Sequence, residues 1–226
     1  RSSDLTVMYR EPVGVFAGIV PFNFPAMIPF GWMIPLCITL GNTFVLKSAS
    51  LTPMTSMRIL ELLIEAGLPK GVVNLVTCSR VEAELLLKHP DIRGISYVGS
   101  TSVGLHIYST AAANGKRVQA LCEAKNHGLV LRDAALERAA LGIINSTFGC
   151  AGMRCMALPV LCVENAVADE FIALLKQFAQ ERVVGCAYDP KTELGPVVTG
   201  EHKEFVSGWI QKGMEEGAEL VLILRA

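Results

Sequence analysis

This sequence predicts an α/β fold built on a doubly wound, mostly parallel sheet, and three observations point to it. Short runs rich in β-branched and other apolar residues alternate along the chain with longer helix-like segments. The first run, Val13 to Val20, is continuously apolar rather than alternating, as in strands covered on both faces. No internal repeat or low-complexity stretch breaks the alternation.

After the Val13–Val20 strand, Ala26 to Leu40 reads as a buried helix interrupted by Pro29, Gly31 and Pro35. Thr43 to Leu46 is a second strand, ending at Lys47. Thr55 to Ala66 is amphipathic, with Met57, Leu60 and Ile64 apolar and Arg58, Glu61 and Glu65 polar; Gly67 and Pro69 then stop it. Val72 to Val76 is a third strand, Arg80 to Lys88 a short helix and Gly94 to Val98 a fourth strand. Leu105 to Ala113 continues as helix, and Leu129 to Leu131 is a short strand. Helices follow at Ala134 to Phe148 and Ala166 to Gln180, with a strand at Val160 to Val163 between them. Near the end, Leu220 to Leu224 is an apolar run expected to be a strand in need of sheet neighbours.

With 226 residues the chain can bury a sizeable core. Its 20 Lys and Arg balance 21 Asp and Glu, so no basic surface calls for a nucleic-acid partner. Seven scattered cysteines fit a reduced compartment better than a disulfide framework. None has C-x-x-C spacing and the histidines do not cluster with them, so no metal site is expected. The opening Arg1-Ser2-Ser3-Asp4 shows no apolar signal core, so a cytoplasmic or mitochondrial-matrix location is expected. The stretch from Pro12 to Leu46 has no charged residue, yet its five prolines and Asn23 and Asn42 argue against a membrane span and for a buried strand–turn–helix.

Two segments carry the chemistry. Pro21-Phe22-Asn23-Phe24-Pro25 sets a neutral amide donor in a proline-framed turn. Phe148-Gly149-Cys150-Ala151-Gly152-Met153-Arg154-Cys155 sets a thiol after a glycine-loosened stretch and next in sequence to an arginine. Thiol chemistry on a carbonyl needs a nucleophile and donors aimed at the oxyanion that forms. Taken singly, Asn23 also fits a helix cap and Cys155 also fits a small buried apolar residue. A third segment, Gly99-Ser100-Thr101-Ser102-Val103-Gly104, follows a strand and opens a helix, where backbone N–H groups face an anion or merely make a turn. Lys47 ends a strand, the place where open α/β sheets take ligands.

Together these segments resemble the aldehyde dehydrogenase superfamily, and Gly152-Met153-Arg154-Cys155-Met156-Ala157 is most similar to its methylmalonate-semialdehyde branch. The resemblance implies a Rossmann-like dinucleotide-binding domain over residues 1–122 and part of an α/β catalytic domain over residues 123–226. It implies Cys155 as nucleophile, with the Asn23 amide and the Cys155 N–H as oxyanion donors, and Arg154 as the partner of a substrate carboxylate. It places Lys47 on the adenosine ribose and Gly99, Ser100 and Gly104 near the pyrophosphate of NAD or NADP. Ser50 stands where the family usually carries a ribose-binding glutamate; losing that charge favours tolerance of NADP. The family's general-base glutamate falls on Leu121. The branch that lacks this glutamate releases its acyl group to coenzyme A, which is therefore the expected co-substrate alongside a small-molecule aldehyde. Glu123 lies two residues off, which along a strand moves a side chain roughly 6–7 Å.

Met153, Glu123 and Ala124 also depart from the family pattern. Gly31 reads as a one-residue insertion that turns later side chains by about 100°. Family members are longer and form homo-oligomers, and the match covers only their middle portion. The alternative reading is therefore a shortened, weakly active homologue with a binding or assembly role.

Overall fold

The computed structural model describes residues 5–224; the Arg1-Ser2-Ser3-Asp4 opening lies outside them. The chain forms two compact units that divide after Glu123.

The first unit is a five-stranded parallel sheet of order β3-β2-β1-β4-β5. Its strands are β1 (Val15–Ile19), β2 (Thr43–Lys47), β3 (Val73–Val76), β4 (Ile92–Val98) and β5 (Arg117–Leu121). The helices between them are α1 (Ile34–Thr39), α2 (Pro53–Glu65), α3 (Arg80–Lys88) and α4 (Thr101–Ala113). Side chains alternate across a strand, and the core divides accordingly. Phe16, Val20, Phe44, Leu46 and Val98 join Met33, Ile34 and Leu60 on one face. Ala17, Ile19, Val45, Ile95 and Tyr97 join Leu87, Ile107 and Ala111 of α3 and α4 on the other. This two-faced burial is why β1 reads as a continuous apolar run.

The helix expected at 26–40 opens with a π-helical segment, Ile28–Met33, in which Ile34 N–H reaches back to Pro29 O. A π-helical turn is how an α-helix accommodates one extra residue. Gly31 lies inside it, so the insertion read from the sequence is absorbed locally. Strand β5 was not foreseen. Only Val118 and Ala120 turn inward while Arg117, Gln119 and Leu121 stay exposed, because β5 is an edge strand and lacks the apolar run of β1.

In the second unit, β6 (His127–Val130) pairs in parallel with β7 (Val160–Val163), and α5 (Leu136–Phe148) and α6 (Ala168–Gln180) pack beside them. Val130, Ala140 and Phe171 form the centre of this core. Helix α7 (Gly200–Glu215) is a second element the sequence reading missed. It buries none of its residues, so no apolar stripe announces it. It is started by Thr199, whose hydroxyl accepts from His202 N–H. The expected strand at Leu220–Leu224 is corrected: these residues carry no ladder pairing. Apolar character alone does not make a strand, because a ladder needs a neighbour whose N–H and C=O groups are free. Among the described residues, no helix is long and apolar enough to cross a membrane.

Candidate active site

The order of the first sheet reverses between β1 and β4, and open parallel sheets bind ligands beyond the carboxyl ends of their strands at such a point. Five loops leave that edge, and four of them carry residues singled out by the sequence. The Asn23 turn follows β1, Lys47 to Thr52 follows β2, Gly99-Ser100 follows β4, and Leu121 to Glu123 follows β5.

The Asn23 turn is held from α2. Thr52 Oγ1 donates to Phe22 O at 3.1 Å and the buried Ser56 donates to Pro25 O at 2.8 Å. Asn23 itself is partly buried, with its Oδ1 sealed from solvent. Lys47 Nζ lies 3.5 Å from the exposed Ser50 Oγ, so the two residues assigned to the ribose are brought together.

The glycine loop does something other than expected. Gly99 N–H donates to Leu121 O (3.1 Å) and Gly104 N–H to Ser100 O (2.9 Å), so neither faces a ligand. Both glycines act by what they lack: a Cβ at Gly99 would overlap the Tyr97 hydroxyl, and one at Gly104 would overlap Cys122 Sγ. Tyr97 Oη donates to Ser100 O at 3.0 Å, and burial raises the ionisation of its phenol above the ordinary range, which keeps that donor in place. What remains for an anion is the start of α4. Its N-cap Ser100 makes no side-chain cap bond, and the N–H groups of Thr101, Ser102 and Val103 have no intrahelical partner.

In the second unit, Gly149–Gly152 is a tight 3₁₀ turn in which Cys150 and Ala151 take φ of 53° and 52°. Such values are uncommon outside glycine and mark a constrained loop. Sequence reasoning put Arg154 beside Cys155; the turn instead folds the guanidinium against Gly149, and Arg154 Nε–H donates to Cys150 Sγ at 3.4 Å. Any Gly149 side chain would occupy that place. The guanidinium lines a cavity of about 240 Å³ with Asn145, Phe148, Arg182 and Glu193. Arg182 and Glu193 are paired at 3.0 Å, and among the described residues no carboxylate pairs with Arg154.

Cys155 is half-buried, and its carbonyl accepts from Asn126 Nδ2 at 2.8 Å. The same amide donates to Ala157 O at 2.8 Å, so one asparagine pins the backbone on both sides of Met156. Asn126 was missed because a lone polar residue in a loop has no periodic signal. All seven cysteines are free thiols, and the described residues contain no cluster of His, Cys, Asp or Glu suited to a metal. Asn23 belongs to the first unit and Cys155 to the second.

Residues 1–224 match the aldehyde dehydrogenase family. A malonate-semialdehyde dehydrogenase of Lacticaseibacillus casei is 49% identical over 214 residues, covering 95% of this chain and 43% of that protein. A Sinorhizobium meliloti 1021 structure, described as a methylmalonate-semialdehyde dehydrogenase complexed with NAD, superposes with a TM-score of 0.91 at 43% identity. It covers 94% of this chain and 43% of its own. The methylmalonate-semialdehyde dehydrogenase of Oceanimonas doudoroffii gives the same TM-score, 0.91, at 43% identity over 93% of this chain and 43% of its own. The chain thus spans less than half the length of the relatives it matches.

Proposed function

Since the chain belongs to the aldehyde dehydrogenase family, we propose that it serves the oxidation of a carboxylated semialdehyde to an acyl-CoA through a Cys155 thioester. Likeness to proteins named malonate- and methylmalonate-semialdehyde dehydrogenases supports the substrate class. That likeness favours an enzyme over a weakly active homologue with a binding or assembly role.

The donor set fits a dinucleotide. Lys47 and Ser50 sit together at the end of β2 for a ribose, and α4 offers an uncapped N-terminus for a pyrophosphate. Gly99 and Gly104 contribute by letting this loop and the start of α4 pack closely on Tyr97 and Cys122. Ser50 brings no charge against a 2′-phosphate, so NADP is accommodated as well as NAD.

Arg154 takes the substrate carboxylate through a charge-assisted pair. Cys155 sulfur adds to the aldehyde carbon, and the Asn23 amide and the Cys155 N–H share the resulting oxyanion. A bound nicotinamide supplies the acceptor for the hydride expelled when that oxyanion collapses to the thioester. The coenzyme A thiol then attacks the thioester carbon, and the Cys155 sulfur leaves.

The observation that carries the choice of coenzyme A over water is Leu121. It ends β5 with 45% of its surface exposed, at the sheet edge where the other loops emerge, and has no proton acceptor. General-base help is worth about 10²–10⁴-fold. Without coenzyme A, reduced nicotinamide should therefore form rapidly up to one equivalent per site and then stop, with the acyl group on Cys155 by mass spectrometry. Coenzyme A should restart turnover, and Leu121→Glu should allow some turnover in water. Sustained turnover of the unmodified chain in water would overturn this reading and make Glu123 the base to mutate next.

A further inference from the structure

The two hydroxyls that hold the Asn23 turn each forgo a nearer partner. Thr52 is the N-cap of α2, where a threonine hydroxyl ordinarily accepts from a backbone N–H of the first turn. It makes no such bond and donates instead to Phe22 O, at 3.1 Å and thirty residues away in sequence. Ser56 lies inside the first turns of α2, where a serine ordinarily bonds back to the carbonyl one turn earlier. It is fully buried and donates to Pro25 O at 2.8 Å, thirty-one residues away. Phe22 and Pro25 bracket Asn23 and Phe24.

Within the turn, Phe24 packs against the core of the first unit. Pro21 and Pro25 have no N–H to donate. Two of the backbone bonds flanking the turn are long: Val20 N–H to Lys47 O at 3.4 Å and Ile28 N–H to Phe24 O at 3.3 Å. The Thr52 hydroxyl thus serves the turn after β1 as a donor and makes no cap bond at its own helix. The same loop carries Lys47 and Ser50, whose 3.5 Å contact does not involve Thr52.

We propose that Thr52 and Ser56 are positioning residues that set the direction of the Asn23 amide and thereby the strength of the oxyanion contact. This rests on the reading of Asn23 as an oxyanion donor. A misplacement of about 1 Å at such a donor costs up to about a hundredfold in rate.

The test compares Thr52→Val, Thr52→Ser, Ser56→Ala and Asn23→Ala in the full chain. Single-turnover formation of reduced nicotinamide reads acylation, and fluorescence titration with NAD reads cofactor binding. Thr52→Val and Ser56→Ala should each slow acylation roughly ten- to a hundredfold, with NAD affinity unchanged within about twofold. Thr52→Ser should keep the unmodified rate. In an Asn23→Ala background the further loss should vanish. The side-chain amide resonance of Asn23 reads the same geometry without turnover: it should shift in Thr52→Val and Ser56→Ala and hold in Thr52→Ser. If Asn23→Ala acylates normally, the oxyanion reading falls and this proposal with it. If Asn23→Ala is slow while Thr52→Val and Ser56→Ala are fast, or their Asn23 resonance is unmoved, the positioning role alone is overturned. Variants that lose the fold by circular dichroism are replaced by Thr52→Ser combined with Ser56→Gly, for which an unmoved Asn23 resonance counts equally against the proposal.

Discussion

At the scale of single residues, the thiols are separated by their surroundings. Cys37 lies partly buried on α1, with its Sγ directed to Thr43 O, and burial pushes its pKa up from 9.0 to about 11. A thiol whose folded pKa is raised contributes stability that is complete below pH 9 and is lost as pH rises from 9 towards 11. Cys37 should therefore resist iodoacetamide at neutral pH and react only as the solution approaches pH 11, and Cys37→Ala should flatten the alkaline fall in stability. Cys150 is exposed and Cys155 half-buried, so access alone favours Cys150 for a general reagent. Protection is the sharper assay of role. Aldehyde and dinucleotide together should shield Cys155 from alkylation and leave Cys150 open. Shielding of Cys150 instead would move the nucleophile to that residue.

At the scale of elements, two helical glycines make opposite demands. Gly104 of α4 is buried against Cys122 and Tyr97, with no room for a Cβ. Gly104→Ala should cost about 1–3 kcal/mol by overpacking, seen as a lower denaturation midpoint in urea. Gly142 of α5 has nothing within 4 Å of its would-be Cβ. Gly142→Ala should stabilise by about 0.5–1 kcal/mol, since alanine loses less backbone freedom on folding. Equal effects at both sites would contradict the close approach of α4 to the strand and loop beneath it. The legible elements were those whose pattern matches their burial: β1, buried on both faces, and the amphipathic α2. Edge strand β5 and α7, which buries no residue fully, were not legible, because their stability comes from a ladder on one side and a cap at one end. The run at 220–224 misled for the converse reason, having strand composition and no ladder.

At the scale of the whole molecule, each unit has its own apolar centre. Met33, Phe44 and Ile95 belong to those of the first unit and Val130, Ala140 and Phe171 to that of the second. The two tryptophans fall one in each: Trp32 in the first and Trp209 in the second. Single-tryptophan variants, Trp209→Phe and Trp32→Phe, should therefore report denaturant transitions that do not coincide, as for multi-domain chains. Coincident midpoints and slopes would mean one cooperative unit.

The sequence by itself determined the alternation of strands and helices and the motifs around Asn23 and Cys155, because each is written in local spacing or residue type. Only the tertiary structure decided where polar groups are spent. Arg154 gives its Nε–H to Cys150, four residues back, because a turn with left-handed residues reverses the chain between them. Gly99 and Gly104 give their N–H groups to backbone carbonyls, and Thr52 and Ser56 give their hydroxyls to a turn some thirty residues away. Hydrogen-bond partners are chosen by proximity after folding, and sequence spacing carries no record of that proximity.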